Sequence, residues 1–233
     1  MNIVIKGGNE WILVGGFVGI GNASESWASG SLNIVFEHIP GNVYIGGFAG
    51  EGNLSNCYAL VDVLVDNSRS TSSNGYVDMY VGGLVGQGGA EYCFAKGWVE
   101  VKSAINGSAF PIYAGGIVGK QDGAVRNCAA LGHYVKTSGN INYANVGRIA
   151  GYGTSLNNNY ADSGMVIGKA EKYGDVVPES TVSSSSTGIT TINGADLTYN
   201  DFWTTTLGFS TSSWKFNNNY NVLTNVPKLK WED

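Results

Sequence analysis

Carboxylates, histidines, thiols and indoles are the side chains of this chain that could do chemistry. Asp62, Asp66 and Asp78 lie close together in sequence. Paired acids cleave glycosides at carboxyl separations of about 5–10 Å. Asp62 and Asp66 share strand parity, which puts them on one face about 13 Å apart. That spacing is too long, so solvated surface charge is the plain reading. A calcium loop over 62–78 would need a denser Asp/Asn/Gly pattern. His38 and His133 are the two histidines and fall in different parts of the chain; His133 aligns with the slot of Trp98. No HExxH, GxSxG or GxxxxGK[ST] is present, so zinc peptidase, serine hydrolase and phosphate-loop chemistry lack their residues. The chain reads as not an enzyme, and no cofactor is expected.

Cys57, Cys93 and Cys128 are the three thiols. No CxxC and no neighbouring histidine accompanies them, which argues against zinc. Their odd number leaves one unpaired in any disulfide scheme. Asn22, Asn53 and Asn106 begin N-x-Ser/Thr sequons and mark exposed loops. Trp203, Trp214 and Trp231 concentrate near the C-terminus and are the candidate ligand contacts, as an aromatic platform for carbohydrate. The competing use of those indoles is core packing.

What must position these residues is a repeat. A seven-residue phrase occurs five times, 31 to 36 residues apart: 13–19 (LVGGFVG), 44–50 (YIGGFAG), 80–86 (YVGGLVG), 113–119 (YAGGIVG) and 145–151 (NVGRIAG). A second phrase keeps step with it, at 26–28, 57–59, 93–95, 128–130 and 159–161. A third, apolar in alternation, follows at 61–65, 98–101 and 133–135. Such a period means stacked units, none of which buries its own apolar face alone.

These phrases resemble the GLUG-motif family, whose repeats read Gly-Gly-Leu-Val-Gly, a polar turn, then Asn-Cys-Tyr-Ala-x-Gly-x-Val. Residues 82–86 with 92–99, and 115–119 with 127–132, match most closely. The resemblance covers about residues 12–168. Arg148 stands in place of a glycine, and Ser26 and Asn159 in place of cysteine, as terminal-repeat variations. The stretch through Trp203, Trp214 and Trp231 resembles the tail that follows such repeats in Bacteroides-type surface proteins. The resemblance implies secretion and a cell-surface location, and no catalytic activity. Some immunoglobulin-cleaving metallopeptidases carry similar repeats outside their catalytic domains.

Alternation orients the phrases, because successive strand side chains face opposite ways. Phe17, Phe48, Leu84, Ile117 and Ile149 should face the core, with Tyr44, Tyr80 and Tyr113 beside them. The first glycine of each pair shares that face. The second points outward, where Arg148 fits. In the second phrase the cysteines and alanines share one face and Trp27, Tyr58, Phe94 and Tyr160 the other. Small residues inward and aromatics outward is one arrangement; the reverse needs a bulge. Stacking puts the cysteines about 4.8 Å apart on successive coils as buried filler.

The expected fold is all-β: a right-handed parallel β-helix of about five coils with a C-terminal cap. An antiparallel meander or sandwich is the rival. Residues 1–175 form the solenoid, and 176–233 the aromatic-rich cap, seated over the last coil. A short helix is expected to start near Thr191, capped by Asn193.

Composition bounds the function. Charged residues make up 13% of the chain, against about 25% in ordinary domains. The net charge is −5 and no Lys/Arg cluster offsets it, which disfavours nucleic acid. No apolar run reaches the roughly 18 residues of a membrane span. A secretion leader and anchor are expected upstream of Met1, holding the protein peripherally on a membrane. The expected function is a non-catalytic cell-surface adhesion or scaffold module, monomeric, extracellular, with a glycan or protein partner. The alternative is a β-helix that binds or degrades polysaccharide.

Overall fold

A computed structural model of the chain describes residues 1–6, 10–39, 41–70, 77–104, 110–139, 141, 143–162, 164–168, 189–192, 201–216 and 226–232. It is an all-β parallel solenoid of about five turns. Each turn contributes to three sheets. Sheet A stacks Asn2–Ile5, Trp27–Phe36, Tyr58–Asn67 and the later strands of the second and third phrases. Sheet B stacks Ile12–Gly15, Val43–Gly46, Met79–Gly82, Ile112–Gly115 and Ala144–Gly147. Sheet C runs from Val18–Ile20 and Ala23–Ser24 through Ala49–Ser55, Val85–Glu91 and Val118–Arg126 to Ala150–Tyr152. The seven-residue phrase thus spans the corner from sheet B to sheet C.

That corner corrects the parity reading. The chain bends at Gly47–Phe48 and equivalent positions. A bend resets alternation, so two consecutive residues face inward. Phe48, Leu84, Ile117 and Ile149 are fully buried in the core, as their pattern predicts. Phe17 is 60% exposed, because among the described residues no strand of sheet B or C stacks above it. Tyr44, Tyr80 and Tyr113 face out, while Ile45, Val81 and Ala114 face in. The tyrosines stack instead into an external column with ring centroids 5.5 and 5.0 Å apart, continued by Trp11 and Tyr152 at its ends.

The second glycine also faces differently from expectation. A Cβ on Gly47, Gly83 or Gly116 would lie 2.2 Å from a carbonyl oxygen of the next coil, with Val61, Ala95 or Ala130 behind it. Close approach of backbones requires glycine there, without any need for positive φ. Arg148 is tolerated because the sheet B strand that precedes it has no further strand stacked beyond it among the described residues.

The second corner leads from sheet C to sheet A and explains the thiols. Each thiol, like Ser26 and Asn159 in the equivalent slots, is preceded by a residue in the left-handed region: Glu25, Asn56, Tyr92, Asn127 and Asn158, at φ 49–56°. Asparagine tolerates that conformation best, and Tyr92 least. The sharp turn aims the following side chain inward and back. Cys57, Cys93 and Cys128 each donate from Sγ to the carbonyl two residues earlier, at 3.2–3.3 Å. Ser26 does the same at the first coil, through its hydroxyl, at 2.9 Å. At the last, Asn159 accepts from Cys128 N and donates to Val125 O. The slot selects small, inward, weakly donating side chains. All three thiols are free and buried. The hydrogen bond with Cys93, and then burial, push the Cys57 thiol far above its ordinary value; burial does the same for Cys93.

Of the two arrangements open for the second phrase, the structure has small residues inside and aromatics outside. Trp27, Tyr58 and Phe94 stack at 5.8 and 4.7 Å with their rings nearly parallel. Ala129 interrupts the column before Tyr160. The C-terminal residues fill that gap. Trp203 lies 5.3 Å from Phe94, Phe202 lies 5.6 Å from Tyr160, and Trp214 packs on both Tyr58 and Phe94. Together with Leu131, Leu207, Phe209 and Leu229 they make a second apolar core outside the solenoid. Polar ties flank it: Trp214 Nε1 to Asn56 Oδ1, Ser213 Oγ to Glu25 Oε1, and Tyr58 Oη to Glu232 Oε2.

The aromatics of the C-terminal stretch therefore lie along the side of several coils, not over the last one. A different piece covers an edge of the last coil: Ile189–Ile192 pairs in parallel with Asn159–Asp162. That strand also occupies Thr191, where a helix start was expected; Asn193 and the 175/176 boundary lie outside the described residues. The described helical turn is Asp201–Thr206, closed by Leu207 N to Phe202 O.

Candidate functional site

The outer face of sheet C carries the candidate site. In register, Glu51 pairs with Gln87, which pairs with Lys120, and Ser55 pairs with Glu91, which pairs with Arg126. Between these columns the floor is bare backbone. Gly21, Gly52 and Gly88 have φ of 146–154°. A Cβ on Gly52 or Gly88 would meet a carbonyl oxygen of the coil above at 1.9 or 1.8 Å. Only glycine fits, and the absence of side chains there deepens the face into a cleft.

Two adjoining cavities follow from it, of about 490 and 280 Å³, with Asn22 and Asn53 lining both. Ser24, Ser55 and Glu91 complete the larger; Glu51, Gln87 and Asp122 the smaller. Asn53 N donates to Asn22 Oδ1 at 2.8 Å, which links the first two coils. Gln87 Nε2 donates to Asp122 Oδ2 at 3.1 Å, and Gln87 Oε1 is a buried acceptor with no partner. Arg126 binds Glu91 at 2.8 Å. Lys120 turns out of the cleft and sits 5.0 Å over the Tyr80 ring. Among the described residues, those lining the two cavities include three carboxylates and no lysine or arginine.

The sequence-predicted contacts are elsewhere. Trp203 and Trp214 are 0% and 1% exposed within the second core and present no ring face to a ligand. Trp231 is 58% exposed and donates Nε1 to Glu25 O. The three do not form one platform. Asp62 accepts from Trp98 N, and Asp66 accepts from Ser68 N and Oγ, both on sheet A. Asp78 accepts from Tyr80 Oη at 2.7 Å, on sheet B. The three acids are thus separate turn and ladder supports. His133 is exposed and falls in register with Gly97, because Val99 pairs with Val135; it is Tyr134 that stacks on Trp98, at 5.4 Å. Among the described residues no group of three or more His, Cys, Asp or Glu could hold a metal. Asn106 lies outside the described residues.

Sequence reasoning missed the cleft because its lining changes identity from coil to coil. The signal was present in the sequon asparagines Asn22 and Asn53, which hold equivalent slots, and in Gly21, Gly52 and Gly88 beside them. What the fold and cleft define is a parallel β-solenoid with an open polar face and an aromatic flank closed by its own C-terminal residues. Comparison with protein-family models, with curated proteins and with solved structures finds no match in any of the three.

Proposed function

We propose that this chain is a non-catalytic adhesion or scaffold module of the outer cell surface, engaging an extracellular glycan or protein. The observation that carries the reading is the sheet C cleft: an open polar face on a rigid stack of coils, with its floor kept bare by glycine. Low charge, neutral polar loops and the family resemblance support an extracellular setting. A leader and a peripheral membrane anchor outside residues 1–233 belong to the same proposal, as does a monomeric state. Net charge −5 and the carboxylates in the cleft support a partner other than nucleic acid.

A second reading rests on Glu51 and Asp122, which line the smaller cavity from strands two coils apart. Two coil steps, with the two-residue offset between Lys120 and Asp122, put these backbones about 12 Å apart, so both side chains must reach toward each other to approach the inverting carboxyl separation of about 6.5–9.5 Å. That reading makes the protein a polysaccharide-degrading β-helix. Incubating pure protein with a polysaccharide panel and assaying new reducing ends separates the two. The adhesion reading expects retention without turnover. Turnover abolished by Glu51→Gln or Asp122→Asn contradicts it.

A further inference from the structure

The adhesion reading leaves the ligand open; the cleft narrows it. We infer that the sheet C cleft binds an uncharged, hydroxyl-rich glycan strand laid across the coils, between the Glu51–Gln87 column and the Ser55–Glu91 column. This rests on the proposed binding function and assigns its ligand class.

Three observations carry it. The first is the lining. Asn22, Asn53 and Gln87 offer planar amides, and Ser24 and Ser55 offer hydroxyls. Amides and carboxylates hold donor and acceptor atoms at the spacing of neighbouring sugar hydroxyls. The second is charge. Glu51, Glu91 and Asp122 face the cleft while Lys120 is turned onto Tyr80 and Arg126 is held by Glu91. Uronate or sulfated chains would meet like charge there. Two of the three carboxylates already have hydrogen-bond partners, so the cleft does not demand a cation either. The third is shape. The column Asn22–Asn53–Gly89–Ala124 crosses four coils, a run of about 14 Å at the strand spacing. Asn53 lays its Oδ1 over Gly89 and Gly123, and Ala124 beyond it carries no side chain past Cβ, so a flat chain crossing there meets an amide and then a low, open end.

The probes are neutral cello-, manno-, galacto- and xylo-oligosaccharides, set against oligogalacturonate, heparin fragments and oligolysine, titrated into the whole chain by calorimetry. Amide NMR shifts locate the bound ligand. Ala124→Arg blocks the exposed end of the cleft, and Asn53→Ala removes one amide. Thermal melts confirm that each variant stays folded. The expected result is binding of at least one neutral oligosaccharide, weakened about tenfold or more by either variant, as loss of a polar contact or of access allows. Shifts should fall at Asn22, Asn53, Gly88 and Gly89. Preference for the anionic chains or for oligolysine at these residues overturns the ligand class and leaves the adhesion reading standing. Neutral binding unaffected by both variants overturns the cleft assignment alone. No binding of any oligosaccharide overturns the inference, and failure on protein arrays as well overturns the adhesion reading too.

Discussion

Two aromatic columns run down this solenoid, and they meet opposite fates. The sheet B column, from Trp11 through Tyr44, Tyr80 and Tyr113 to Tyr152, has no second core packed over it: its ends Trp11 and Tyr152 are exposed, while Tyr44 and Tyr80 are buried within the stack. The sheet A column of Trp27, Tyr58, Phe94 and Tyr160 is roofed by the C-terminal residues. Stacking distances are alike in the two, so stacking does not decide which is covered. Chemistry and relief do. The open column keeps hydroxyls with polar company: Tyr80 donates to Asp78, Asn42 lies beside Tyr44, and Lys120 sits over Tyr80. The closed column loses its hydroxyl at Phe94 and its ring at Ala129. The first change makes an apolar patch. The second leaves a notch one ring deep, into which Phe202 and Trp203 fit. A column continuous in tyrosine covers itself; one with a gap invites a roof.

Removing a roof indole should separate the columns most strongly. Trp214→Ala is expected to cost about 3–5 kcal/mol, the range for a buried aromatic. Tyr113→Ala should cost only about 1–2 kcal/mol, the worth of one or two ring pairs. Urea denaturation of both variants checks the contrast. Equal losses would erase the distinction between a packed core and a surface stack.

Filling the notch should act through the roof alone. Ala129→Phe completes the column but occupies the space of Phe202 and Trp203, at an expected cost of about 1–3 kcal/mol for overpacking. Tyr113→Phe on the open column should be close to neutral. Tryptophan emission reports the difference, since displaced Trp203 and Trp214 shift to the red. An unshifted spectrum in Ala129→Phe would mean that the notch does not seat the roof.

The smallest effect is electrostatic. Burial, and then the hydrogen bond to Glu232, raise Tyr58 well above its ordinary range. Tyr58 is neutral when protonated, and its folded-state pKa exceeds the unfolded value of about 10. The stability it contributes is therefore complete below about pH 10 and is lost as pH climbs toward the folded value. Tyr58→Phe should remove this alkaline loss from the roof signal, with a penalty of about 1 kcal/mol at neutral pH for the missing hydrogen bond. Tyr80 is raised likewise, by burial and then by Asp78, so its Phe variant should leave the roof signal unchanged. Melting curves at about pH 8 and about pH 11 compare full stability with the onset of the loss.

The same contrast marks what could be read from the chain. Five copies of one phrase were enough to give parallel coils and the buried Phe48, Leu84, Ile117 and Ile149. The thiol ladder followed from equal spacing. The tyrosines were assigned to the wrong face because a bend between two short strands resets alternation, and no residue type announces it: both bend and strand carry glycine. The role of Gly83 and its equivalents was hidden because the clash it avoids is with another coil. The roof was legible only as a cluster of aromatics. Its seat depends on Ala129, which in sequence looks like an ordinary member of the small-residue pattern. The cleft was hidden for the complementary reason, since its defining feature is missing side chains.

The account stands most directly on where the C-terminal aromatics sit. Hydrogen exchange of the whole chain, compared with a Trp203→Ala/Trp214→Ala variant, measures that placement. Protection should fall together at 58–59, 94–95, 129–131 and 159–161, across four coils, while sheet B strands such as Met79–Gly82 hold theirs. Loss confined to the last coil, around 144–152, would place these indoles over the end of the solenoid and contradict the lateral roof.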